Sequence, residues 1–177
     1  EMIQSISKLG VDIPGGFALT VDAYWEFINH NKLDKKIRQY IKEMKKDDLV
    51  SLKKTGLEIR QLIRNGKWPR EIKEEIRDNY KLLSQKYGQE ITDVAVRSSA
   101  TTEDLPNASF AGQQETYLNV RGPEQILSSV RNCFSSLFTD RAITYRDDFG
   151  FDHFDIGISV CIQKMVRSDL ASSGVAF

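Results

Sequence analysis

Hydrophobic positions follow two regimes along this chain, and the change comes near residue 90. Before it, apolar residues recur every three or four positions. Ile37, Ile41 and Met44 mark a first stripe, and Leu52, Ile59 and Ile63 mark a second, looser one. Ile72, Ile76, Tyr80 and Leu83 mark a third. That period belongs to amphipathic helices. The punctuation agrees with it. Ile13-Pro14-Gly15-Gly16 reads as a turn that leads into a short strand over 17–19. Thr20 is placed to cap a helix over 21–31, with Asp22 in its first turn. Asn65-Gly66 stops one helix, Pro69 opens another that runs to residue 87, and Gly88 ends it.

After residue 90 the pattern becomes mixed. Alternating runs predict strands over 93–98 and 115–120, joined by a long loop without secondary structure of its own. A helix is expected over 123–138, with Ile126, Val130, Phe134 and Leu137 on one face, and a short one over 141–147. Strands over 156–166 and 173–177 close the chain. Helices come first, and strands with helices and hairpins follow. That order predicts an α+β fold rather than a doubly wound α/β sheet. Residues 1–90 form its mainly helical part and residues 91–177 its strand-rich part.

Composition narrows the function classes. The 177 residues are 40% hydrophobic and 28% charged, enough for a buried core. Twenty-five basic and 25 acidic residues cancel, which argues against a general nucleic-acid binder. No apolar run approaches the ~20 residues that span a bilayer, and residues 1–10 lack the apolar core of a signal peptide. Cys133 and Cys161 match no metal spacing. They read as small core residues in a reducing, cytoplasmic compartment. The chain starts as if inside a helix and ends in an apolar strand at Phe177, so a fragment of a longer protein is expected.

Candidate chemistry concentrates between residues 94 and 120. Arg97 ends an apolar alternating run. An arginine there either grips an anion or forms an ion pair with Glu103 or Asp104, and the residue alone does not choose. The loop after it offers hydroxyls from Ser98, Ser99, Thr101 and Thr102, and Gly112 lets the backbone come close to a phosphate. There is neither a GxxxxGK[ST] nor a GxGxxG motif. Loops of such length tend to be functional. Gln163 lies within an apolar strand and needs a partner, either a nucleotide or, more simply, a cross-strand hydrogen bond. Lys164 alternates to the other side, where it is expected to be exposed. Backbone groups near Met165 and Val166 could meet an adenine. His30 and His153 sit beside no nucleophile and read as structural or solvated. The lysines of 32–54 read as a solvated helix face, and Asp147-Asp148 either binds a cation or, more simply, forms a solvated helix end.

The stretch RSSATTEDLPNASFAGQQETYLNV (97–120) resembles the nucleotide-binding domain of the phosphoenolpyruvate synthase and pyruvate phosphate dikinase family. Pro14-Gly15-Gly16-Phe17 and SSLFTDRAITYR (135–146) are similar to that family too. GFDHFDIGISVCIQKMVRSDLASSGVAF (150–177) is closer to its synthase branch than to its dikinase branch or to the related rifampicin phosphotransferases. The resemblance implies an ATP-grasp fold, of which this chain would be part. It implies that Arg97 holds ATP phosphates, that Gly112 and Thr116 contact the nucleotide, and that Gln163 lies at the adenine end. It implies a reaction that makes phosphoenolpyruvate, AMP and phosphate from pyruvate, ATP and water, through a phosphohistidine on another domain. Mg²⁺ would assist, held by acidic ligands outside this sequence. No catalytic residue and no metal ligand is expected within it. The alternatives are the ATP module of a sister phosphotransferase, or a non-catalytic adaptor that keeps the fold.

Overall fold

The apolar stripes turn inward and organise one core. In a computed structural model, which describes residues 13–45, 47–100, 104–105, 108–109 and 115–167, the chain opens with strand β1 (Gly16–Leu19). Four helices follow: α1 (Val21–His30), α2 (Leu33–Glu43), α3 (Leu49–Arg64) and α4 (Arg70–Lys86). Then come β2 (Asp93–Ala100), the two-residue strands β3 (Asp104–Leu105) and β4 (Ala108–Ser109), and β5 (Thr116–Arg121). Helices α5 (Pro123–Ser136) and α6 (Asp140–Phe149) and strand β6 (Ile158–Lys164) complete the described elements. The mixture of helices with an antiparallel sheet is the expected α+β class.

Local chemistry sets most boundaries. Asp48 caps α3 by accepting from the N–H groups of Val50 and Ser51, and Thr139 caps α6 by accepting from Ala142. Thr20 has the extended backbone of a cap residue, but its side chain makes no capping hydrogen bond. Gly88 adopts φ 62° after α4. There the Gln89 N–H reaches the Ser84 carbonyl and the Gly88 N–H the Gln85 carbonyl, the paired bonds of a Schellman stop. Helix α6 is longer at both ends than the expected 141–147, because Thr139 starts it earlier and Gly150, at φ 71°, ends it later.

The sheet has the strand order β1-β6-β2-β5, and every neighbouring pair is antiparallel. The expected hairpin of 93–98 with 115–120 is the β2–β5 pair. Its connection carries the β3–β4 ladder, so the loop has secondary structure of its own, contrary to expectation. The register shifts between Val94 and Val96, where β5 holds an extra residue and Asn119 takes φ 56°. Asparagine tolerates that left-handed backbone better than a branched residue would, so the bulge has a local sequence cause. The expected strand over 173–177 lies outside the described residues.

Helices α1 and α5 pack on one side of this sheet. Val94, Val96, Val120, Ile158, Val160 and Ile162 are buried there. Phe134 of α5 meets Tyr24, Phe27 and Trp68 at ring separations of 5.3, 5.6 and 5.9 Å, which joins α5 to α1 and to the α3–α4 connection. The Tyr80 hydroxyl donates to the Thr92 carbonyl at 2.7 Å and accepts from the Gly122 N–H at 2.9 Å. That fixes α4 to the start of β2 and the end of β5.

One core residue gave no sequence signal. Arg146 is completely buried. Its guanidinium donates to the Leu137 carbonyl and, at 2.8 Å, to His153 Nδ1, and lies 5.3 Å from the Phe138 ring centroid. Burial brings its pKa down to about 10. Because Nδ1 accepts that bond, His153 carries its proton on Nε2, 3.1 Å from Asp147 Oδ1. His153 is therefore structural, and Asp147 is partnered as well as partly solvated.

Candidate functional site

The strand alternation that buries Val96, Val160 and Ile162 against the helices sends their neighbours to the opposite face. The register then aligns four of those neighbours. Ala18 pairs with Cys161, Cys161 with Arg97, and Arg97 with Thr116, a single row across all four strands. A parallel row holds Gly16, Gln163 and Ala95. Gly16, Ala18, Cys161, Arg97 and Thr116 are exposed, Gln163 is half-buried and Ala95 is buried. Small side chains at Ala18 and Cys161 make a low floor beside one cation and one hydroxyl.

Arg97 and Thr116 are direct cross-strand partners. Such pairs hold their Cβ atoms about 5 Å apart, close enough to share one phosphate. No hydrogen bond or ion pair joins the Arg97 side chain to another described residue; Glu103 and the side chain of Asp104, its alternative partners, lie outside what is described. Thr116 gave no local signal of its own and needed the register to reach Arg97. Gly112, Thr101 and Thr102 lie outside the described residues.

The other expectations need adjustment. Ser98 is buried on the helix side, where its hydroxyl accepts from the Glu115 N–H at 3.0 Å, so it is not offered to an anion. Cys161 is exposed and not a core residue, because Val160 and Ile162 occupy the helix side and leave it the other; Cys133 is buried as expected. Lys164 is not exposed either. Its side chain is 12% accessible, and Nζ donates to Asp93 Oδ1 at 3.1 Å. Burial alone would raise the Asp93 carboxyl, but the Lys164 bond and charge outweigh it and hold the group below its usual range. The Met165 N–H donates to the Asp93 carbonyl at 2.9 Å, so it is not open to a base.

Gln163 has a partner within the protein. Its Nε2 donates to the Pro14 carbonyl at 3.3 Å. Because that carbonyl only accepts, the amide is oriented with nitrogen toward the turn and Oε1 turned away from it.

The face suits anion binding better than bond-making. It supplies a forked donor and a hydroxyl, and among the described residues no base stands beside a nucleophile. Among the described residues no group of three or more His, Cys, Asp or Glu side chains could hold a metal ion. A groove of about 330 Å³ between the α2–α3 connection and α6 is lined by Asp47, Asp48, Asp147 and Asp148 with Lys45, Met44, Leu49 and Leu52. Four carboxylates against one lysine make it hostile to a triphosphate. No described helix is long and apolar enough to cross a membrane.

The sequence model of the pyruvate phosphate dikinase AMP/ATP-binding domain matches residues 1–177. Over the whole chain, a phosphoenolpyruvate synthase of Aquifex aeolicus is 57% identical, one of Synechocystis 50% and one of Escherichia coli 47%. The chain spans 21% of the first relative and 22% of each of the other two, about a fifth of their length.

Proposed function

Because this chain belongs to the pyruvate phosphate dikinase AMP/ATP-binding domain family, we propose that it is the ATP-binding part of a phosphoenolpyruvate synthase. The observation that carries the reading is the Ala18–Cys161–Arg97–Thr116 row on the face the helices leave open. ATP lies along that row. Arg97 takes phosphate oxygens, Gly112 and Thr116 contact the nucleotide, and Gln163 marks the adenine end. A guanidinium held on a sheet strand needs little reorganisation to meet the phosphates, which is how a fixed cation contributes most to binding.

We take residues 1–90 and 91–177 as the helical and strand-rich parts of one ATP-grasp domain. The parent enzyme converts pyruvate, ATP and water to phosphoenolpyruvate, AMP and phosphate, and a phosphohistidine on another domain carries the phosphoryl group. Its location is cytoplasmic, a reading that the two unpaired thiols support. Among the described residues no cluster of side chains fits a magnesium site. The identity to named synthases favours this reading over a sister phosphotransferase or a non-catalytic adaptor.

The test is AMP release by the full-length protein carrying this domain. Pyruvate-dependent release is expected. Release that depends on rifampicin, or no nucleotide turnover with pyruvate, would sink the proposal.

A further inference from the structure

Tyr87 lies at the C-terminal end of α4, and its hydroxyl accepts a hydrogen bond from the Gly15 N–H at 2.7 Å. That bond crosses 72 residues of chain and reaches the turn that leads into β1. The same turn is held at two other points. The Lys164 N–H donates to the Gly15 carbonyl at 2.9 Å, and Gln163 Nε2 donates to the Pro14 carbonyl at 3.3 Å. Three bonds from two elements therefore fix two consecutive peptide groups.

The turn has little freedom to compensate for a lost bond. A Cβ on Gly16 would sit 2.3 Å from the Ile162 carbonyl oxygen, so β1 already lies as close to β6 as a backbone can. A Cβ on Gly15 would sit 3.2 Å from the Tyr87 hydroxyl and 3.1 Å from Lys86 Nζ. The only side chain among these three bonds that faces the proposed nucleotide is that of Gln163, and its amide is oriented by the Pro14 carbonyl alone among described partners.

We infer that Tyr87 is a positioning residue: through the Pro14–Gly15 peptide it holds the Gln163 amide in the orientation that meets the nucleotide base. The inference rests on the reading of the open sheet face as the ATP site. Tyr87 touches no nucleotide. Its hydroxyl fixes Gly15, Gly15 fixes the Pro14 carbonyl, and that carbonyl fixes Nε2 of Gln163. Without the hydroxyl the Pro14–Gly15 peptide loses the bond to its N–H, and the Gln163 amide is held less sharply in the orientation that meets the base.

The experiment is steady-state kinetics of the full-length protein with Tyr87→Phe, which keeps the ring and removes only the hydroxyl. The KM for ATP is expected to rise about 3- to 10-fold, as for one neutral hydrogen bond, while kcat and the KM for pyruvate stay at their wild-type values. In a Gln163→Ala background the same change should add nothing, because the group being positioned is gone. A merely structural tyrosine would not give that non-additivity. An equal rise in both backgrounds overturns the inference, as does a fall in kcat at unchanged KM. Arg97→Ala is the parallel arm. If it raises the KM for ATP and Tyr87→Phe does not, the positioning role is wrong and the site stands. If neither variant moves it, the ATP site itself is wrong and the inference falls with it.

Discussion

Replacing Arg97 by alanine separates binding from folding. The side chain is exposed on the open face and bonds to no described residue. Its removal therefore opens no cavity and strands no described partner. Surface substitutions of this kind shift stability by about 0.5 kcal/mol, and the strand preference adds at most roughly another 0.5. The cost to ATP binding is of another size. A charge-assisted hydrogen bond contributes about 1.5–3 kcal/mol, which corresponds to a Kd raised roughly 10- to 150-fold. Arg97→Lys keeps the charge but loses the fork and should fall between the two. Calorimetric titration with ATP reads the Kd, and urea unfolding reads the stability. A Kd within about twofold of wild type would refute the phosphate role. A stability loss above ~2 kcal/mol would show that Arg97 serves the fold instead.

Other perturbations probe the frame around that face. Arg146→Met should cost about 2–5 kcal/mol in urea unfolding, because the Leu137 carbonyl and His153 Nδ1 both lose their buried donor; a loss below ~1 kcal/mol would mean that the network contributes little. The pH dependence follows from His153, whose folded pKa lies below its ordinary value of 6.5, first through burial and then through the Arg146 charge. The unfolded state then binds the proton more tightly, so this contribution is complete above pH 6.5 and is lost as pH falls from there through the lower folded value. The urea midpoint should drop across that window, and His153→Gln should flatten the slope; an unchanged slope would assign it to other groups. Gly16→Ala should destabilise by about 1–3 kcal/mol, because β1 must move off the Ile162 carbonyl; a wild-type melting temperature would contradict that close approach.

Residues differ in how far their sequence context reveals them. The helical stripes at Ile72, Ile76, Tyr80 and Leu83, and at Ile126, Val130, Phe134 and Leu137, are all buried where their spacing puts them. Helix period and burial are local properties, so the chain states them directly. Arg97 stood out as a candidate because a cation ends an apolar run. Its partners on the open face carried no local signal, and Thr116 entered only through the family resemblance. Thr116 and Cys161 meet Arg97 only through strand order and register, which depend on residues some 20 and 64 positions away. The misplacement of Cys161 has the same source, since a one-residue phase decides which face a strand residue takes. Lys164 was expected in solvent because its partner, Asp93, is brought to it by the sheet and not by sequence. Arg146 was invisible for a related reason. Its buried acceptors are the Leu137 carbonyl and the His153 ring, and neither spacing nor composition announces a backbone acceptor.

The most direct test uses Cys161 as a reporter set within the proposed site. It is exposed in the row with Arg97, whereas Cys133 is buried and its thiol is pushed up to about 12 by burial. Alkylation of the full-length protein with iodoacetamide, read by peptide mass spectrometry, should modify Cys161 and spare Cys133. ATP at ten times its Kd should slow Cys161 labelling roughly tenfold, in proportion to the free fraction. Equal labelling rates with and without ATP would contradict the claim that the nucleotide lies on this face of the sheet.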